Sequence, residues 1–115
     1  MGLDGDFEVG VDRRPGWLVV RPHGELDIAT VEALRRSLAA RDGDEGLALD
    51  LRGLGFLDTS GLQLVLETFR RARTEDWELV VVRGPRSVQR VFEIAGLEDM
   101  LPFADAAPGD DATHG

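Results

Sequence analysis

Across residues 47–69 the spacing of apolar residues changes from that of a buried strand to that of a helix, over one short turn. Leu47-Ala48-Leu49-Asp50-Leu51 is a nearly unbroken apolar run and reads as a buried strand. Leu62, Val65, Leu66 and Phe69 then recur at i, i+3, i+4 and i+7, which predicts a helix over 61–73 with these four side chains turned inward. Between the two patterns lies Gly55-Phe56-Leu57-Asp58-Thr59-Ser60-Gly61-Leu62. Asp, Thr and Ser all suit a helix N-cap, because a side-chain oxygen accepts from the unpaired N–H groups of the first turn. A phosphate added to a hydroxyl there would be tolerated, since those N–H groups and the positive end of the helix dipole both favour an anion.

The flanking sequence supplies the rest of an α/β domain. Phe7, Val9 and Val11 alternate with polar residues and glycine, a half-buried strand over 7–12. Arg13-Arg14-Pro15-Gly16 is a turn, and 17–22 is a second strand, so the chain opens with a hairpin. His23-Gly24-Glu25-Leu26-Asp27 is expected to be a loop. A helix follows over 28–40, with Val31, Leu34 and Leu38 in one stripe and Thr30 or Asp27 as its cap. After the 47–51 strand and the 61–73 helix come a strand over 77–82 and a helix from Arg86 to Ile94, begun by Pro85 and stopped by Gly96. Val88, Val91, Phe92 and Ala95 form the inner face of that helix. A brief strand around 101–103 closes the order β-β-α-β-α-β-α-β. Strands alternating with helices imply a single α/β domain with a mixed, mostly parallel sheet opened by an antiparallel hairpin, and three main helices. Its expected limits are 7–103, with a flexible N-terminus over 1–6 and a disordered acidic tail over 104–115.

Composition removes several classes of function. The 115 residues suffice for one core and no more. All 13 basic residues are arginine, and against 22 acids they leave a net charge of −9, which disfavours a general nucleic-acid or anionic-membrane binder. No apolar stretch approaches the ~20 residues that span a bilayer. Residues 1–6 lack the basic start of a signal peptide, so a cytoplasmic location is expected. The absence of cysteine excludes thiol catalysis and suits a reducing compartment. His23 and His114 are the only histidines, and no metal-binding spacing accompanies them, so no metal is expected. Neither GxSxG nor a phosphate-binding glycine loop occurs, so no catalysis and no cofactor are expected.

The turn at 58–61 therefore has two readings, a plain helix cap or a phosphorylatable switch. A phosphoryl group adds about −1.5 to −2 charges and three acceptor oxygens. The helix start would hold it without unfolding, while a partner resting on that surface would meet new bulk and charge.

Three segments in order resemble the STAS domain, in particular bacterial anti-sigma factor antagonists. They are Gly24-Glu25-Leu26-Asp27 with Thr30 and Leu34; Phe56-Leu57-Asp58-Thr59-Ser60-Gly61-Leu62; and Val88-Gln89-Arg90-Val91-Phe92-Glu93-Ile94-Ala95-Gly96-Leu97. The resemblance covers about residues 7–103. It implies partner switching: the unphosphorylated antagonist binds an anti-sigma factor of the histidine-kinase-like ATPase fold, which is also a Ser/Thr kinase. Phosphorylation then releases it, and a PP2C-type phosphatase resets it. Carried over, the acceptor is Thr59, with Ser60 as the alternative because many members have Ser at the first position. Glu25, Asp27, Asp58, Ser60, Gly61 and Gln63 would form the docking surface. Leu64 falls off the apolar stripe and is expected to be an exposed partner contact. The alternative within the same family is a non-switching scaffold or accessory subunit of a stress-sensing or lipid-transport complex.

Overall fold

The sheet is built outward from its second strand. The structure, a computed structural model, describes residues 6–110. β1 (Glu8–Arg14) and β2 (Trp17–Leu26) form an antiparallel hairpin across Pro15-Gly16, in register from Arg14↔Trp17 to Glu8↔His23. β3 (Gly46–Asp50) and β4 (Leu54–Leu57) both run parallel to β2, β3 beside Trp17 to Val20 and β4 beside Gly24 to Leu26. β5 (Leu79–Val82) lies parallel to β3, and β6 (Phe103–Ala104) parallel to β5. The order is β1-β2-β3-β5-β6, with β4 branching from the far end of β2. The helices are α1 (Val31–Leu38), α2 (Thr59–Glu75) and α3 (Arg86–Ile94). The expected mixed, mostly parallel sheet with its opening hairpin and three helices is thus the fold found.

Because successive strand residues point to opposite faces, the sheet has two distinct sides. Leu18, Val20, Leu47, Leu49 and Val81 point to the helices and pack with Val31, Leu34, Leu64, Val65, Val88 and Phe92. Val19, Ala48 and Val82 point the other way and meet Ala107.

Several local expectations are corrected. The 23–27 loop is strand through Leu26, because Glu25 and Leu26 find a ladder on β4, itself absent from the sequence reading. β4 escaped notice because only its ends, Leu54 and Leu57, are buried. The branch depends on Gly24: its φ is +115°, the register shifts between it and Glu25, and a Cβ would sit 3.1 Å from the Asp6 carbonyl oxygen. α1 begins at Val31 and not at residue 28, since Asp27 to Thr30 form a side-chain-bonded turn. α2 begins two residues early, at Thr59, and ends at Glu75, where Asp76 turns left-handed. β5 starts at Leu79; Trp77 instead lies under the Arg41 guanidinium, 4.0 Å from ring centroid to cation. Ala95 is exposed, and buried Gln89 joins Val88 and Phe92 on the inner face of α3. The tail expected to be disordered from residue 104 is placed as far as Asp110, with Ala107 buried and Asp110 held by Arg14 and Arg52. Residues 1–5 and 111–115 lie outside the described chain.

Candidate functional site

Two strand ends meet where the second and fourth strands pair. The last matched residues are Leu26 and Leu57, so the next residues, Asp27 and Asp58, emerge side by side. The Asp58 carboxylate caps a helix, and that of Asp27 closes the turn that leads into one. Asp58 Oδ1 accepts from the Ser60 N–H at 2.8 Å and the Gly61 N–H at 3.3 Å, which caps α2. Asp27 Oδ1 accepts from the Ala29 N–H at 3.0 Å and the Thr30 N–H at 3.2 Å. The Thr30 hydroxyl donates to the Glu25 carbonyl at 2.7 Å and accepts from the Asp27 N–H at 3.0 Å, locking this turn to the end of β2. The Asp58 N–H donates to the Leu26 carbonyl at 3.1 Å, so the two turns are joined directly.

Thr59 is the first residue of α2 and is exposed, and Ser60 beside it is half-buried. Among the described residues, neither hydroxyl is engaged by another protein group. Both are presented over a helix start, where added negative charge meets the positive end of the dipole. Gly61 faces inward: a Cβ there would lie 2.8 Å from Leu26 Cδ2 and 3.2 Å from Leu57 Cγ. A glycine at this position lets the first turn of α2 rest directly on the paired strand ends.

The remaining expected contacts divide. Glu25 and Gln63 are exposed beside the turn, and Asp27 and Asp58 are half-buried. Gly61 and Leu64 are buried and belong to the core, which corrects their expected place on the docking surface. Leu64 is 3% exposed because α2 turns Gly61, Leu64, Val65, Thr68 and Ala72 inward, while Leu62, Leu66 and Phe69 are only partly covered. The polar member of that face, Thr68, is accommodated by donating its hydroxyl to the Leu64 carbonyl at 2.8 Å. An apolar stripe drawn from sequence had no means of counting glycine, threonine and alanine as core.

The profile of the STAS domain family matches residues 8–107. The chain belongs to the STAS domain family. This STAS domain is 32% identical over 84 residues to the anti-sigma-B factor antagonist of Staphylococcus aureus, across 71% of this chain and 78% of the relative. Its structure is similar to that of an anti-sigma factor antagonist from Mycobacterium paratuberculosis, with a TM-score of 0.80 at 26% identity, covering 98% of this chain and 96% of that one. It is also similar to the anti-sigma factor antagonist SpoIIAA in its unphosphorylated form, with a TM-score of 0.69 at 25% identity over 91% of each chain.

Two residues of the STAS surface were missed by sequence reasoning. Ile28, directly after Asp27, is 76% exposed, and Phe56, opposite Glu25 in the ladder, is 47% exposed. The sequence pattern places Ile28 inside a helix and Phe56 outside any strand. The available signal was alternation with buried Leu57, over a segment too short to notice. A solvent-open groove of about 510 Å³ lies beside this surface, lined by Phe7, Gly24, Glu25, Asp27, Ala29 and Thr30. Among the described residues no three His, Asp or Glu side chains are grouped to hold a metal ion, and no helix is long and apolar enough to cross a membrane.

Proposed function

We propose that this STAS domain is an anti-sigma factor antagonist that works by partner switching in the cytoplasm and has no catalytic activity of its own. The observation that carries the reading is the exposed Thr59 hydroxyl at the capped start of α2, beside Asp58 and Asp27. Unphosphorylated, the surface offers two apolar side chains, Ile28 and Phe56, among the carboxylates of Glu25, Asp27 and Asp58. That pattern suits an anti-sigma factor whose facing surface is apolar and basic. The partner is a kinase of the histidine-kinase-like ATPase fold that phosphorylates Thr59, and a PP2C-type phosphatase reverses the step. Exposure favours Thr59 over half-buried Ser60 as the acceptor. Phosphorylation sets a bulky, strongly hydrated dianion at the centre of the contact, which keeps Ile28 and Phe56 from being dried against the partner and outweighs its attraction for basic groups.

The test is phosphorylation by candidate kinases followed by intact-mass and fragment-ion analysis, paired with calorimetry of the Thr59→Asp variant. One phosphoryl group at Thr59 is expected, together with a loss of about tenfold or more in partner affinity and an unchanged melting curve. Absence of phosphate with every kinase, or unchanged affinity in the variant, would reduce the turn to a helix cap and favour the scaffold role.

A further inference from the structure

On the face of the sheet turned away from the helices lies the segment 105–110. Ala107 is buried on Val19, Ala48 and Val82, with Trp17 and Val80 at the margin. Three residues later the Asp110 carboxylate accepts from Arg14 Nη1 at 2.9 Å and Arg52 Nη2 at 2.8 Å, and from the Ala107 N–H at 3.1 Å. Arg14 Nη1 also donates to the Pro108 carbonyl at 2.7 Å.

The seat under this strap is organised without it. Arg52 is held against Asp50 by two side-chain hydrogen bonds, of 3.0 and 2.8 Å, and Asp50 is fully buried with Arg21 donating to it at 3.0 Å. Arg14 is held by Asp12 at 2.9 Å. With the strap lifted, Arg14 and Arg52 each keep one carboxylate partner, Asp12 and Asp50, and lose the one they share, which leaves two converging guanidiniums open to an incoming carboxylate. Little apolar surface holds the strap: one alanine is buried, its ion pairs are the partly exposed ones of Asp110 and the exposed one of Asp105 with Arg83, and no described residue beyond Ala104 is in a ladder. Segments with so few buried contacts open locally at a free energy well below that of global unfolding.

We propose that residues 105–110 are a displaceable pseudo-ligand, and that the face beneath them takes an extended acidic segment of a partner protein. That segment places a small apolar side chain on Val19, Ala48 and Val82, and a carboxylate three residues further on between Arg14 and Arg52. The strap lowers the affinity of the free protein by occupying the seat, because only the opened fraction can bind. This surface is independent of the Thr59 site, which lies at the start of a helix on the other side of the sheet.

The probe is a fluorescent peptide with the sequence of residues 103–115, titrated by anisotropy against the full chain and against its Asp110→Arg variant. Arginine beside Arg14 and Arg52 expels the strap. The variant is expected to bind the peptide about ten- to a hundredfold more tightly than the unaltered chain, the factor set by an opened fraction of roughly 1–10%. A peptide carrying Asp110→Asn is expected to lose that gain. Equal affinities, or a variant that dimerises and ignores the peptide, would overturn the proposal. Should the variant fail to fold, hydrogen exchange on the unaltered chain decides. The Ala107 and Asp110 amides are expected to exchange faster than those of β3, and faster still at high salt. Protection equal to that of β3 would overturn the proposal.

Discussion

Asp58 has two tasks, and substitutions separate them. Its carboxylate caps α2 through the Ser60 and Gly61 N–H groups, and its charge faces the proposed partner surface. Asp58→Ala is expected to cost about 1 kcal/mol in urea unfolding, the usual loss for a removed cap. Asp58→Asn keeps an oxygen for the cap and is expected to melt like the unaltered chain while binding the partner less well. Partner affinity unchanged in Asp58→Asn would assign the residue to capping alone. At this scale the sequence was highly legible, since Asp58-Thr59-Ser60-Gly61 announces a helix start through the chemistry of its side chains. Which hydroxyl is exposed was not legible, because that depends on how the first turn rests on Leu26 and Leu57.

At the scale of elements, α2 shows why spacing alone assigns a helix more reliably than it assigns its buried face. The apolar stripe runs through Leu62, Val65, Leu66 and Phe69, yet the helix rotates to bury Gly61, Leu64, Thr68 and Ala72. Small side chains at 61, 68 and 72 allow close approach to the sheet, which an all-leucine face would not. Leu64→Ala is therefore expected to cost about 2–5 kcal/mol, as for a fully buried leucine. Gln63→Ala, on the exposed side, is expected to stay within about 0.5 kcal/mol. Chemical denaturation of both variants checks the orientation, and a loss below 1 kcal/mol for Leu64→Ala would contradict it. The extension of β2 through Glu25 and Leu26 was hidden for a related reason. His23-Gly24-Glu25 has the composition of a loop, and only the arrival of β4 makes it strand.

For the molecule as a whole, the decisive asymmetry is a sheet with three helices on one face and a short strap on the other. The strap side carries the strongest electrostatic coupling. Hydrogen bonds from Arg14 and Arg52 hold the Asp110 carboxyl down at about 2. For Asp50, burial pushes the carboxyl up, but hydrogen bonds from Arg52 and Arg21 outweigh it and leave the group below its ordinary value. Both groups bind protons less readily when folded than when unfolded. Their contribution to stability is therefore present above about pH 4 and is lost as the pH falls, for Asp110 on approaching about pH 2. Thermal melts of the unaltered chain are expected to fall steeply across that interval. Asp110→Asn is expected to flatten the fall, and an identical slope in the variant would mean that the clasp does not form in solution.

Taken alone, the sequence determined whatever rests on local periodicity and side-chain chemistry. That includes the alternation of strands and helices, the antiparallel hairpin at Pro15-Gly16, the capped turn at Asp58, and the helix from Arg86 to Ile94. Only the tertiary structure decided what depends on partners distant in the chain. β4 is a strand because β2 lies beside it, and Leu64 is buried because the sheet lies under it. Likewise residues 104–110 are ordered because Arg14 and Arg52, far away in sequence, converge on Asp110. Pairing, burial and ion-pair geometry are properties of two segments at once, and no window along one segment contains them.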